Sequence, residues 1–294
     1  MKYAAIDIGS NAVRLLIANI INNDGVISFK KNTLIRVPVR LGDDAFLKQS
    51  ISDKKAAELV KTMVAFKNLM EVYQVEDYMA CATSALRESK NGAELVKKIK
   101  SVANIDLEIV EGQKEAHIIY SSHADQTLER NKNYLYIDVG GGSTELSIFS
   151  DGKLKASRSF DLGTIRILDN QDKEETWDSL KFWLRNETKN HKGLIGIGTG
   201  GNINKLFKLS EEKEGKPLSF IKLKTQYQYL NSFSLKDRIN ILGLNQDRAD
   251  VIIPACELFI TVMKYASIKQ IYVPKVGLVD GVIQVLIEKN FPKI

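Results

Sequence analysis

The sequence predicts an α/β protein built as two domains. Three observations carry that reading. Apolar runs with the two-residue alternation of strands are interleaved with stretches of helical periodicity. One unit occurs twice: an apolar strand, an Asp, a glycine-containing turn and a second apolar strand, with Asp7 and Asp138 131 residues apart. A repeat of that length reads as a duplicated unit and not as a short solenoid period. The length, 294 residues, is that of two domains of ordinary size.

Taken in order, the first copy runs from Ala4 through Ile6-Asp7-Ile8-Gly9-Ser10-Asn11-Ala12-Val13-Arg14 to Ala18. Asn23-Asp24-Gly25 closes a hairpin, and the chain continues extended from Phe29 to Val39. Ser52 is placed to cap a helix whose apolar positions Ala56, Leu59, Val60, Met63, Phe66, Met70 and Tyr73 share one face. Asp77 to Ala82 is a strand that delivers Thr83-Ser84-Ala85-Leu86-Arg87 at its carboxyl end. Asn91 is expected to cap the next helix, with Glu94 three residues on. A strand from Leu107 to Val110 ends at Glu111-Gly112, and a helix from about Gln113 to His123 follows.

The second domain starts near Asn131 and repeats the plan. Its central hairpin alternates Leu135, Ile137 and Val139 with Tyr136 and Asp138, then Leu146 and Ile148 with Glu145 and Ser147. A turn at Asp151-Gly152 leads into a strand through Phe160. Trp177, Leu180, Phe182, Trp183 and Leu184 mark a helix, and the tryptophans read as core and not as a base-stacking platform. Leu194 to Gly201 is a strand ending in a glycine turn, with a helix after it. Glu211 to Ser234 is polar, holds Gly215 and Pro217, and reads as a surface excursion. Arg248 to Ala266 is helical, which Pro254 permits only close to the start. A last strand, Gln270 to Pro274, precedes a last helix, Gly277 to Glu288.

Chemistry concentrates in the central hairpin. An uncompensated aspartate in a buried strand is costly as a charge, so Asp138 needs a cation or strong donors beside it. The three glycines Gly140, Gly141 and Gly142 let backbone N–H groups approach an anion with no side chains in the way. Glu145 follows the turn, able to face Asp138. Two carboxylates bracketing an anion-cradling turn suggest a divalent metal carrying a phosphate. The bland reading is a tight hairpin with a structural Asp, and the first copy weakens it. Two such turns facing each other would grip a phosphate chain from both sides. Neither is followed by Gly-Lys-Ser/Thr, and neither has the glycine spacing of a dinucleotide fingerprint.

Bulk composition sets outer limits. A hydrophobic content of 44% supports sizeable cores, and a net charge of +6 with pI about 9.0 favours an anionic partner. Polyphosphate and nucleic acid both qualify, as does a protein that is merely basic. No block of Lys and Arg interleaved with aromatics stands out, which counts against a dedicated nucleic-acid surface. Cys81 and Cys256 read as buried thiols, and the two cysteines and three histidines (His117, His123, His191) show no zinc spacing. The N-terminus enters a strand directly and no apolar run reaches about 18 residues, so a soluble, cytoplasmic protein without a membrane partner is expected.

The two turns resemble the first and second phosphate motifs of the sugar kinase, heat-shock chaperone and actin superfamily. Within it, the chain resembles the exopolyphosphatase and guanosine pentaphosphate phosphohydrolase family. The further marks are Ala82-Thr83-Ser84-Ala85-Leu86-Arg87 with Asn91, Val110-Glu111-Gly112-Gln113-Lys114-Glu115-Ala116, Gly198-Thr199-Gly200-Gly201-Asn202, and Arg248-Ala249-Asp250-Val251. They fall in family order from about residue 4 to about residue 287. The resemblance implies two actin-like, ribonuclease H-like domains facing each other across a cleft, residues 1–127 and 128–294. The last helix is a candidate to pack back on the first domain.

The implied activity is hydrolysis of the terminal phosphoanhydride of inorganic polyphosphate. The alternatives are guanosine pentaphosphate as substrate, a non-catalytic sensor of polyphosphate or a nucleotide, and an ATP-dependent kinase. The Gly-x-Lys-Glu-Ala stretch argues against the kinase. In this reading Asp138 and Glu145 hold Mg²⁺ or Mn²⁺, and Glu115 orients or deprotonates the attacking water. Phosphate oxygens fall to Asp7, Gly9, Ser10, Asn11 and Arg14, to Gly140, Gly141, Gly142, Ser143 and Thr144, and to Gly200 and Gly201. Arg14 and Arg87 neutralise developing charge. A homodimer is a candidate assembly. On position alone Glu115 would only complement a helix dipole; the resemblance makes it the base. Departures from the family pattern are Lys114 for an acid, Asn202 for Thr, and Gly277-Leu278-Val279-Asp280-Gly281 for Gly-Leu-Arg-Glu-Gly, in which Val279 replaces the Arg.

Overall fold

A computed structural model describes residues 1–121, 129 and 131–292. The chain divides into two compact units, Met1–Asp125 with Gly277–Ile294, and Gln126–Val276. His123 and the expected boundary between residues 127 and 128 lie outside the described residues.

The first unit is built on β1 (Lys2–Ile8), β2 (Val13–Asn23), β3 (Val26–Val37), β4 (Asp77–Ala82) and β5 (Leu107–Ile109), in the order β3-β2-β1-β4-β5. β1 and β2 pair antiparallel, as do β2 and β3, whereas β4 and β5 join parallel to β1. The β2–β3 connection turns on Asp24 and Gly25 at φ +50° and +87°, the left-handed pair a two-residue hairpin needs. Its helices are α1 (Gly42–Lys48), α2 (Asp53–Val72), α3 (Ser84–Arg87), α4 (Gly92–Ala103), α5 (Gly112–Ser121) and the chain's last helix, here α13 (Leu278–Asn290). The Ser52 hydroxyl caps α2 by accepting from the Lys55 N–H at 3.5 Å. Ala5 and Leu16 of the sheet, Ile118 of α5 and Ile283 of α13 share one core.

The second unit repeats the order with β6 (Tyr134–Val139), β7 (Thr144–Ser150), β8 (Lys153–Phe160), β9 (Ile195–Thr199) and β11 (Gln270–Tyr272), and adds β10 (Leu218–Ser219) at the edge: β10-β11-β9-β6-β7-β8. The pairing senses repeat as well: β6–β7–β8 antiparallel, β9 and β11 parallel to β6. Asp151 and Gly152 make the second left-handed hairpin turn, at φ +54° and +70°. The helices are α6 (Thr164–Leu168), α7 (Glu174–Thr188), α8 (Gly200–Leu209), α9 (Phe220–Asn231), α10 (Leu235–Asn240), α11 (Gln246–Ala249) and α12 (Ile252–Tyr265). Trp183 is buried and Trp177 packs against the same core, alongside Leu146, Ile148 and Phe259.

Several expectations change. Asn91 does not cap α4; its amide bridges Ile51 instead, accepting from the N–H at 2.9 Å and donating to the carbonyl at 2.8 Å. The stretch 211–234 is a surface excursion only up to Pro217; beyond it Leu223, Gln226 and Leu230 bury one side of α9 and Ser219 caps it. That side is too narrow a stripe to stand out of a polar sequence. The single helix expected from Arg248 breaks after Ala249 and restarts at Ile252, so Pro254 falls in a first turn, where its missing N–H costs nothing. Cys81 and Cys256 are buried, and burial pushes both thiols up to about 12. Among the described residues no helix is long and apolar enough to cross a membrane.

Candidate active site

In the first unit, Ile8 and Val13 are the last paired residues of β1 and β2, and Gly9, Ser10, Asn11 and Ala12 connect them. The Gly9 N–H donates to the Ala12 carbonyl at 3.1 Å and closes the turn. The segment entering α1 then holds it from one side: the Gly42 N–H donates to the Ser10 carbonyl at 2.8 Å and the Arg40 N–H to the Asn11 carbonyl at 3.1 Å. A trans peptide points its N–H opposite to its C=O. With these carbonyls turned toward α1, the N–H groups of Asn11 and Ala12 point the other way. Ser10 is buried, its hydroxyl 2.8 Å from that of Ser84 at the start of α3.

The second unit builds the same turn on the same plan. Val139 and Thr144 are the last pair, and the Gly140 N–H donates to the Ser143 carbonyl at 2.9 Å. The first turn of α6 takes the carbonyls. Thr164 N–H donates to Gly140 at 3.0 Å, Ile165 N–H to Gly141 at 2.8 Å, and the buried Arg166 sends its Nε to Gly142 at 2.6 Å. The N–H groups of Gly141, Gly142 and Ser143 are therefore turned away from α6, with no side chain on the two glycines to cover them. Thr144 is fully buried and gives its hydroxyl proton to the Leu162 carbonyl at 2.6 Å. These braces are what sequence reading missed. α1 and α6 are only 7 and 5 residues long, too short for periodicity to reveal.

The copies differ in the charge opposite the aspartate. In the first, Asp7 pairs across the strands with Arg14, whose Nη1 reaches its carboxylate at 2.5 Å. Burial pushes the Asp7 carboxyl above its ordinary range, and the Arg14 guanidinium opposes that. In the second copy the same register position holds Glu145 opposite Asp138. Glu145 is buried and accepts from the Ser159 hydroxyl at 2.8 Å, while Asp138 is half-buried. Like charges directly opposite on neighbouring strands are destabilising, so this pair suits a cation.

β9 brings a third element to Asp138. Thr199 is its register neighbour on the parallel side, and the buried Thr199 hydroxyl has no hydrogen-bond partner among the described residues. Gly200 follows at φ +88°, with its Cα so close to Asp138 that a Cβ would come within 2.6 Å of Oδ1. Only glycine fits there. Gly201, the next residue, lies under the Arg248 guanidinium, and Arg248 also bonds the Asn202 side-chain oxygen.

Glu115 lies in the first turn of α5 and is buried, whereas its neighbour Lys114 turns outward to Glu108 at 2.5 Å. The departure at Lys114 thus leaves the Glu115 position undisturbed. Arg87 is half-buried and donates from Nη1 to the Val110 carbonyl at 2.9 Å, which ties α3 to the entry of α5. Val279 is buried in the core of the first unit, and the Asp280 beside it pairs with Lys31 at 2.6 Å. Within the second unit, Asp138 and Glu145 stand opposite each other as a pair of carboxylates. Both offer hard oxygen ligands, the type Mg²⁺ and Mn²⁺ take.

Over residues 29–290 the chain matches the Ppx/GppA phosphatase family. A Haemophilus influenzae protein provisionally named an exopolyphosphatase is 25% identical over 99% of this chain and 92% of its own length. A guanosine-5'-triphosphate,3'-diphosphate pyrophosphatase of Aliivibrio fischeri is 23% identical over 98% of this chain. The chain spans 59% of that relative's length, and 27% of a bifunctional 3-dehydroquinate synthase/phosphatase of Fusobacterium nucleatum. Among solved structures, an exopolyphosphatase from Cytophaga hutchinsonii shares the fold with a TM-score of 0.83, 24% identity and 98% coverage of both chains.

Proposed function

The chain belongs to the Ppx/GppA phosphatase family, and we propose that it hydrolyses the terminal phosphoanhydride of inorganic polyphosphate, releasing orthophosphate. The observation that carries this reading is the Gly140–Ser143 turn. Its N–H groups form an anion cradle, and a pair of opposed carboxylates stands at its base. A phosphate needs the first and a divalent cation needs the second.

In this proposal the amides of Gly141, Gly142 and Ser143, and those of Asn11 and Ala12, bind non-bridging phosphate oxygens. Asp138 and Glu145 would hold Mg²⁺ or Mn²⁺, which when bound would neutralise charge on the phosphates. Glu115 takes a proton from water, and the water oxygen forms its bond to the terminal phosphorus. The bond from that phosphorus to the bridging oxygen breaks, and the shortened chain leaves with that oxygen. Arg87 keeps guanidinium donors beyond the one on Val110 for the oxygens of the reacting phosphoryl group. Positioning and charge neutralisation account for most of the rate in phosphoryl transfer, which fits a site made largely of backbone.

The second reading takes guanosine pentaphosphate with the same residues, and the name of the Aliivibrio fischeri relative favours it. Timed release of orthophosphate from long polyphosphate and from guanosine pentaphosphate, with and without Mg²⁺, separates the two. Polyphosphate should be preferred and the remaining polymer should stay long at early times. Asp138→Asn should remove the Mg²⁺ dependence together with most of the rate. A ladder of mid-sized fragments, or undiminished turnover in Asp138→Asn at limiting Mg²⁺, would overturn the proposal.

A further inference from the structure

The second unit carries a basic concavity remote from its glycine turns. The end of α7, the loop that follows it, the start of β9 and the segment after α12 enclose about 730 Å³. Arg185, Lys189, His191, Lys192 and Lys269 line it, and no Asp or Glu does. β9 begins here at Ile195 and ends at Thr199 beside the Gly200 turn. The concavity therefore lies at the opposite end of a strand roughly 15 Å long at about 3.3 Å per residue.

Two features separate this cluster from an ordinary solvated face. Some lysines of the unit are matched with acids, as Lys181 is with Asp178 at 2.9 Å and Lys222 with Glu212 at 2.7 Å, whereas here several cations share one acid-free hollow. Among the described residues, no ion pair engages Arg185, Lys189, Lys192 or Lys269. Four cations around one hollow repel one another, and a polyanion in it would relieve that. The second feature is Tyr265, which has Arg185 at 4.8 Å and Lys264 at 5.5 Å from its ring centroid. The stacking holds the Arg185 guanidinium in place. A cation thus already occupies the ring that a nucleobase would stack on.

We propose that this concavity is a second anion site and takes an internal stretch of an inorganic polyphosphate chain. The choice of ligand rests on the substrate class proposed above; the case for an anion site does not. A chain held at this point stays with the protein between successive losses of its end, so the site favours long chains over short ones.

The test is the triple variant Lys189→Ala/Lys192→Ala/Lys269→Ala, with the triple Lys→Arg variant as the charge-retaining control. Binding of end-labelled long-chain polyphosphate is followed by anisotropy across a salt series, with single-stranded DNA and tripolyphosphate as the other probes. Long-chain affinity should fall about tenfold or more, and the log–log salt slope should flatten by about two, the scale of about three lost phosphate contacts. Tripolyphosphate binding and turnover should be unchanged, and the Arg variant should bind as the parent does. Unchanged long-chain affinity and slope would overturn the proposal, as would a parallel loss of DNA binding, which marks a general polyanion surface. Weakened long-chain binding in a protein that hydrolyses no polyphosphate would uphold this site and overturn the proposed activity.

Discussion

Glu115 is the residue at which a structural and a chemical role differ most. As a first-turn acid of α5 it complements the helix dipole, and on that account Glu115→Gln costs at most about 1 kcal/mol of stability and little rate. Yet it is buried, while the dipole would be served as well by an exposed acid such as Glu111. If Glu115 activates water, the Gln variant should bind polyphosphate normally or more tightly, since a negative charge facing a polyanion is gone. Its rate should fall roughly a hundredfold or more. Titration calorimetry and phosphate release at saturating substrate, on one preparation, decide it: normal binding with near wild-type turnover would return Glu115 to the structural role. At this scale the sequence was informative about residue types and, in the second copy, about the facing of Glu145 and Asp138. Asp7 and Asp138 read alike along the chain, and only the strand register shows Asp7 opposite an arginine.

At the scale of elements, α13 governs how α5 sits. Gly281 packs against α5 so closely that a Cβ there would lie 1.8 Å from the Ile118 carbonyl oxygen, one turn beyond Glu115. Backbone cannot yield as a side-chain tip can, so Gly281→Ala must shift α5 relative to α13. The higher helix propensity of Ala offsets only about 1 kcal/mol of the overpacking, which costs typically about 1–3 kcal/mol. We expect a lower melting temperature and, if Glu115 is the base, a kcat reduced about tenfold or more with KM little changed, because displacing a base by about 1 Å affects the reacting geometry more than binding. Val282→Ala is the control, since Val282 is fully buried next door and its truncation destabilises without pushing α5. A Gly281→Ala protein with wild-type kcat would remove α13 from this role.

For the whole molecule, net charge is the quantity that matters. At +6 the chain attracts a polyanion from a distance, and that attraction is screened over about 10 Å at about 0.1 M salt. KM for long-chain polyphosphate should therefore rise several-fold between low and physiological ionic strength while kcat stays level. Initial rates over a salt series at fixed Mg²⁺ measure this, and a KM indifferent to salt would show that net charge contributes nothing to capture.

The sequence by itself determined the α/β class, the duplicated hairpin unit, the family and the buried thiols. All of these rest on local signals: strand alternation, left-handed Asp-Gly turns, motif order, and apolar runs around Cys81 and Cys256. Only the tertiary structure decided what lies against what. Asn91 has the composition of a cap, yet the approach of residue 51 offered its amide both a donor and an acceptor, two bonds where a cap makes one. The turn of α6 that holds the Gly140, Gly141 and Gly142 carbonyls begins more than twenty residues after them, and no periodicity links the two. The amides of the glycine turn point as they do because those carbonyls are held on the other side. Directing a peptide takes a partner brought from elsewhere in the chain, and that partner exists only once the chain has folded.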